Sequence, residues 1–348
     1  NFAEAYLNMG NAYKYKKDLK AALNCFKRAY EIKPDFADAH FNFATTHLLN
    51  GNLEKGFKEY EWRFKRDLQI HPEISISKPM WDGSSLENKT ILICYEQGFG
   101  DSLQFARYLP LLAEMGAKVL VKLQTPLEKL FEQSDLKATV VKAKFLKDFP
   151  HFDTYAFFMS LPHLFKTNLD NIPLSNGYFS ADPEKVALYK KNFFNNTNFK
   201  VGIKWQGNPD GSKSRQVPIE AFYQLADIPN IKLYSLQKGD GIEELENVPE
   251  NIEIINLGET FNDFDDTAAA IENLDLVLCN DTSVVHLAAA LGKPTWVLLN
   301  YVCEWRWLLV TDTSKWYDSV RLFRQNKVDS WKNLISRIKQ ELLANYSK

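Results

Sequence analysis

The sequence predicts an α/β protein with two parallel-sheet halves of similar size, preceded by an all-α segment of helical-hairpin repeats. Three observations carry this. Residues 1–66 repeat themselves with a period of 34. From Lys89 onward, short apolar runs alternate with amphipathic helical stretches, which is the pattern of βαβ units with right-handed crossovers. The stretch from Asn273 to Leu299, NLDLVLCNDTSVVHLAAALGKPTWVLL, reads strand, polar turn, helix, turn, strand. Its apolar run 276–279 suits a buried parallel strand, and Asn280-Asp281-Thr282-Ser283 is rich in helix-capping residues. Gly292, with Pro294 beyond it, stops the helix that begins at Val284. The motif sets a free helix N-terminus at the carboxyl end of a strand, where open α/β sheets bind ligands and where an anion, typically a phosphate, is favoured.

In chain order, the repeat comes first. Tyr6, Met9-Gly10 and Tyr13, then Ala22, Phe26, Ala29 and Pro34, match the tetratricopeptide pattern in spacing and type. Adding 34 gives His40, Ala44, His47, Gly56 and Tyr60, a degraded copy in register. Two copies are fewer than the roughly three such arrays need, so either repeats precede Asn1 or the next domain caps the pair. The chain opens on Asn1 in mid-pattern, and we expect upstream sequence. Arrays of this kind present a concave binding surface, or else serve as packing modules.

Residues 67–88 form a connector broken by His71-Pro72, Lys78-Pro79 and Asp82-Gly83, with Trp62 and Trp81 expected to pin it. The first α/β half spans 89–190: strand 90–95, helix 102–114, strand 118–123, helix 126–133, and strands 138–141 and 153–157. The second spans 198–325: strand 201–205, helix 218–226, strands 232–236 and 252–255, helix 263–273, then the motif above. Residues 326–348 hold an amphipathic terminal helix from Lys327 to Tyr346.

Composition narrows the function. With 348 residues, 45 % hydrophobic and 25 % charged, the chain has material for several cores. A net charge of −2 leaves no footprint for nucleic acid or an acidic membrane. Cys25, Cys94, Cys279 and Cys303 lie far apart without metal-ligand spacing, which suits a reduced, cytoplasmic setting. No stretch reads as a signal peptide or membrane span.

Several stretches could carry chemistry. Tyr95-Glu96-Gln97-Gly98-Phe99-Gly100-Asp101 follows a strand, and its glycines let the backbone approach a ligand or a neighbouring strand closely. Leu103 stands where the dinucleotide fingerprint needs a third glycine, and no acidic residue follows the second strand at Leu123, so a dinucleotide-dependent dehydrogenase is disfavoured. Asp101 falls in the first helical turn, either as a cap or as a general base facing a cleft. In the second half, Gly202-Ile203-Lys204-Trp205-Gln206-Gly207-Asn208-Pro209 leads into Ser212-Lys213-Ser214-Arg215. This loop suits a diphosphate, with Lys213 and Arg215 neutralising charge, or is a solvated loop. Ser235-Leu236-Gln237-Lys238-Gly239 could shape a base or ribose pocket. His286, early in its helix, is either a neutral hydrogen-bonding group or structural. Asp263-Phe264-Asp265 has the D-x-D form of a metal site but reads as a helix cap. Trp305, Arg306, Trp307, Trp316 and Arg321 make an aromatic–cation segment that lines the cleft or joins the halves.

Taken together, Gly100-Asp101-Ser102-Leu103-Gln104-Phe105, Gly202–Pro209 with Ser214-Arg215, and the run from Asp281 to Leu291 resemble the lipopolysaccharide heptosyltransferase family. With its repeats the chain resembles a bacterial group that is distantly similar to protein O-GlcNAc transferases and includes flagellin glycosyltransferases. The resemblance implies a GT-B fold, with the acceptor on the N-terminal half and a nucleotide-sugar, as co-substrate, on the C-terminal half. It implies an inverting displacement with neither metal nor cofactor. Asp101 takes the place of the general base, and Asp281, Thr282 and Ser283 that of the donor-phosphate motif. Lys213 and Arg215 fall near the family's basic phosphate ligand; which is equivalent is open. Gly100, Gln104, Lys204, Gln206, Asn208, Gln237 and His286 become candidates for the donor or acceptor pocket. The acceptor implied is a protein docked by the repeats; a glycolipid acceptor, or a nucleotide-binding scaffold without turnover, is the alternative.

Overall fold

The computed structural model describes residues 2–66, 76–208, 215–326 and 330–346. Four helices come first: α1 (Phe2–Tyr15), α2 (Leu19–Ile32), α3 (Ala37–Leu49) and α4 (Leu53–Tyr60). The 34-residue period has a steric cause. A side chain at Gly10 would put its first carbon 2.4 Å from the Phe26 ring, and one at Gly56 2.5 Å from Leu48. Small residues at these places bring paired helices into contact, and aromatic side chains fill what is left. Trp62, in the tight turn after α4, stacks on His40 with ring centroids 3.7 Å apart.

The first α/β domain contains β1 (Thr90–Cys94), α5 (Phe99–Phe105), α6 (Leu109–Glu114), β2 (Lys118–Lys122), α7 (Glu128–Gln133), β3 (Ala138–Val140), β4 (Thr154–Phe157), α8 (Leu161–Leu164) and α9 (Pro183–Phe193). Its strands form a parallel sheet in the order β3-β2-β1-β4. The helix expected over 102–114 is two helices joined by a 3₁₀ turn, and it starts earlier, at Phe99; Pro110 lies in the first turn of the second piece. Trp81 pins the connector as expected: its backbone N–H donates to the Tyr155 carbonyl at 2.7 Å and its indole to the Ser84 carbonyl at 2.9 Å.

The second domain contains β5 (Phe199–Lys204), α10 (Tyr223–Ala226), β6 (Ile231–Ser235), β7 (Ile254–Asn256), α11 (Phe264–Glu272), β8 (Leu276–Asn280), α12 (Ser283–Ala290), β9 (Thr295–Leu299), β10 (Val320–Arg324) and α13 (Trp331–Tyr346). The sheet is parallel throughout, in the order β10-β9-β8-β5-β6-β7. The segment expected as a helix over 218–226 is a 3₁₀ turn followed by one α-turn. Strand β10 and helix α9 were not expected; both are held by distant partners, β9 and α11.

One hydrophobic cluster runs through all three parts of the chain. Phe57 of α4 meets Phe105, Trp305 and Trp316 edge-on, so the last repeat helix touches both α/β domains. The α/β part therefore closes the C-terminal end of the repeat pair. Polar links reinforce this. Arg63, fully buried, grips Glu96 through Nε at 2.7 Å and a terminal nitrogen at 2.9 Å, and donates to Ser160 at 2.8 Å. Arg107, also fully buried, donates to the Trp316 carbonyl at 2.7 Å across the two α/β domains.

Candidate functional site

Between the domains lies a cleft of about 780 Å³. Its first wall comes from the turn after β1 and the start of α5. Gly98 caps α5, and Asp101, at the third helical position, accepts the Gly98 N–H at 2.9 Å. Asp101 is thus a cap and a cleft residue at once, so the two sequence readings of it do not compete. Its other carboxylate oxygen pairs with Arg306. Burial raises its pKa above the usual carboxylate value; Arg306 and the Gly98 N–H pull the other way, and the Asp281 charge adds to the rise.

Arg306 sits in the tight turn Trp305–Trp307, which α3 packs against. It donates to Glu304 at 2.7 Å, to the Gln104 amide oxygen and to Asp101. Glu304 is pushed up by burial and by Asp281, against the pull of Arg306. Trp305, Trp307 and Trp316 are core residues, and Arg321 pairs with Glu341 on α13, so of that segment the cation at 306 is the one lining the cleft.

The second wall is the carboxyl edge of the six-stranded sheet. Asp281, Thr282 and Ser283 open α12 directly after β8, and all three line the cleft. Thr282 holds the N-cap position without a side-chain cap bond, and its buried hydroxyl has no hydrogen-bond partner among the described residues. Arg215 reaches Asp281 at 3.4 Å, and its carbonyl accepts the Asn280 amide at 2.9 Å. Lys204, Gln206 and Asn208 line the same face. Lys213 lies outside the described residues.

Helices α5 and α12 meet at Gly100, where an added side-chain carbon would lie 2.8 Å from His286 Cδ2. His286 is buried, with Nδ1 3.0 Å from the Tyr317 hydroxyl. Its pKa falls well below the usual imidazole value through burial first, with Arg306 and Arg107 adding to the effect. The neutral state expected from the helix end is therefore chiefly a matter of desolvation.

Two expected pocket residues lie behind the cleft rather than in it. Gln104 is fully buried and turns its amide oxygen to Arg306. Gln237 is buried and braces the loop after β5, accepting the Gln206 N–H at 3.1 Å and donating to the Gln206 carbonyl at 3.0 Å. Both are amides held by backbone or charge, so they shape the walls. Asp263 caps α11 by accepting the N–H groups of Asp265 and Asp266, and the latter two carboxylates take Lys185 at 2.7 and 2.6 Å. Among the described residues no cluster of His, Cys, Asp or Glu is placed to hold a metal.

Sequence reasoning missed Tyr60. It ends α4, is 4 % exposed, and lines the cleft beside Gln97, whose amide donates to its hydroxyl at 3.4 Å. Burial and the Asp101 charge push its pKa up to about 12, so it stays a phenol. Position 60 repeats position 26, a phenylalanine; the added hydroxyl was the available signal.

Residues 10–51 match the model for the TPR repeat, and residues 218–310 match the model for glycosyltransferase family 9 (heptosyltransferase). The chain carries a glycosyltransferase family 9 domain behind a TPR segment. That match spans α10 through α12 to the Arg306 turn and includes Asp281, Thr282 and Ser283 of the second wall, while Lys204, Gln206, Asn208 and Arg215 lie before it. Protein FlbA of Caulobacter vibrioides is 27 % identical over 367 residues, covering 97 % of this chain and 61 % of FlbA, so the chain spans about three fifths of that relative's length. Among solved structures, a family 9 glycosyl transferase from Veillonella parvula is 13 % identical with a TM-score of 0.54, covering 75 % of this chain and 99 % of its own. The ADP-heptose lipopolysaccharide heptosyltransferase II of E. coli is 13 % identical with a TM-score of 0.51, covering 73 % of this chain and 98 % of its own. These likenesses show the fold, and the paired parallel-sheet domains are those of the expected GT-B class.

Proposed function

We propose that this chain is an inverting glycosyltransferase that moves a sugar from a nucleoside-diphosphate donor to a hydroxyl acceptor. The observation that carries the reading is the opposition, across one cleft, of a partly buried carboxylate on α5 and the free N-terminus of α12. In the proposed step the acceptor oxygen attacks the anomeric carbon while Asp101 takes its proton. The bond from that carbon to the diphosphate oxygen breaks, and its electron pair leaves with the diphosphate. Attack opposite the leaving group inverts the centre. Burial lifts Asp101 toward the range where a carboxylate is an effective base, and Arg306 keeps it ionised. The α12 N–H groups and Arg215 answer the charge arriving on the diphosphate, which is why the reading calls on protein groups rather than a metal.

The repeats support a protein acceptor, docked on the concave face and led to the wall that Tyr60 shares with Asp101. The four cysteines are all buried and free, which suits a reducing compartment; no described helix is long and apolar enough to cross a membrane.

The test is a thermal-shift screen against ADP, UDP, GDP and dTDP followed by a transfer assay with the matching nucleotide-sugar. A ligand at a hundred times its dissociation constant adds about 2.7 kcal/mol. Asp101→Asn should then cut transfer by about 10²–10⁴ while nucleotide affinity holds. Equal turnover in that variant would remove Asp101 from the mechanism.

A further inference from the structure

Lys204 ends β5, the strand from which the six-stranded sheet winds in two directions: β6 and β7 lie on one side, β8, β9 and β10 on the other. The crevice at the carboxyl end of such a strand is where open parallel sheets take ligands. Side-chain alternation decides where Lys204 points. Val201, Ile203 and Trp205 enter the core cluster shared with α10 and α13. Gly202 faces the other way, against Leu236 and Leu274, and Lys204 follows it, reaching the cleft lining.

Lys204 is 7 % exposed. Among the described residues, the other buried cations all have partners: Arg63 holds Glu96, Arg107 the Trp316 carbonyl, and Arg306 Asp101 and Glu304. The Lys204 ammonium makes no hydrogen bond or ion pair with any described residue. A buried, unpaired charge is costly unless something of opposite sign meets it. The groups that act on it are Asp240 on the loop after β6 and the Cys279 thiol opposite it in β8, while Arg215 and Asp281 line the same cleft. Cys279 is pushed up by burial and stays a neutral thiol. The α12 N-terminus opens on the same space.

We infer that Lys204 is a diphosphate-binding cation of this cleft, supplied by the strand end and separate from the 212–215 loop. The inference rests on the glycosyltransferase reading and names the group that takes the leaving diphosphate from below. Its ammonium gains most when the anomeric bond has broken and the diphosphate carries the released electron pair. Desolvation, opposed by Cys279 and Asp240, lowers the Lys204 pKa to about 8. An anion bound against it returns the pKa toward the ordinary lysine value, so binding near pH 8.5 takes up a proton. Asp101 and Glu304 also face the cleft and are raised by burial, so part of any uptake can come from them.

The experiment is titration calorimetry at pH 8.5, in two buffers of different ionisation heat, with inorganic diphosphate, ADP, UDP and GDP. Wild type should bind at least one of these with uptake of about half a proton or more. Lys204→Met removes a buried charge and keeps an apolar stem, so it should fold; it should bind about 10- to 100-fold more weakly and lose most of the uptake. Lys204→Arg should keep most of the affinity without the uptake, because a guanidinium does not titrate there. If Lys204→Met binds as tightly as wild type with the same uptake, the Lys204 assignment is wrong and the glycosyltransferase reading stands. If wild type binds none of the four, both fall.

Discussion

Replacing Arg306 with methionine tests the electrostatics of the cleft most directly. The guanidinium is 9 % exposed and stands between Asp101 and Glu304, with Gln104 behind it. The stem of methionine fills much of the same space, so the change is mainly one of charge. Two partly buried carboxylates would then be left near Asp281 without their shared partner, with only the more distant Arg215 to offset their charge. Breaking a buried pair by removing one partner costs about 3–5 kcal/mol, and at about 2–4 °C per kcal/mol the melting temperature near pH 7.5 should fall by roughly 10 °C. The sign of the pH dependence follows from linkage. Asp101 and Glu304 already have folded pKa values raised by burial, and without Arg306 they rise further. A raised acid binds more protons folded than unfolded, so its cost is absent below the unfolded value near 4. The cost accumulates as pH climbs through the folded value and is constant above it. The gap between wild type and variant, followed by differential scanning fluorimetry from pH 4.5 to 8, should therefore widen with pH. Adding Glu304→Gln to the variant should recover part of the loss at pH 7.5. A gap that is flat in pH, or no gap at all, would refute the view that Arg306 holds these carboxylates ionised.

Two further outcomes are expected. Arg215→Ala should weaken a nucleoside diphosphate about tenfold and the bare nucleoside hardly at all, measured by calorimetry; an equal loss for both would point to a displaced loop. Gly100→Val should lower stability by about 1–3 kcal/mol, because a first side-chain carbon already comes within 2.8 Å of His286; adding His286→Ala should return part of it, and an unchanged melting temperature would mean that α5 and α12 do not meet as described.

What could be read from the sequence was what local chemistry decides. The strand–turn–helix–strand from Leu276 to Leu299 falls within a residue of its expected limits, because an apolar run, a row of capping residues and a Gly-x-Pro stop are all local signals. The 34-residue repeat was legible for the same reason. What was hidden depended on distant partners. Val320–Arg324 is a strand because Val320 to Arg324 pair with Thr295 to Leu299; its arginines give no buried-strand pattern. Arg306 was visible as a cation among tryptophans, but its bond to Asp101 spans 205 positions, and nothing near either residue announces it. Gln104 and Gln237 were placed one layer too far forward, since a polar residue after a strand or in an early helical turn does not declare which way it faces.

The Arg63–Glu96 grip has a mechanical consequence. Glu96 lies two residues past β1 and five before Asp101, while Arg63 sits three residues beyond α4. A load applied to the repeats reaches the turn that carries Asp101, the proposed base, through one forked contact as well as through the connector. The repeat helices and the cleft wall are thus mechanically joined, and grafting foreign repeats onto this α/β pair would require carrying Tyr60 and Arg63 along with their partners Gln97, Glu96 and Ser160.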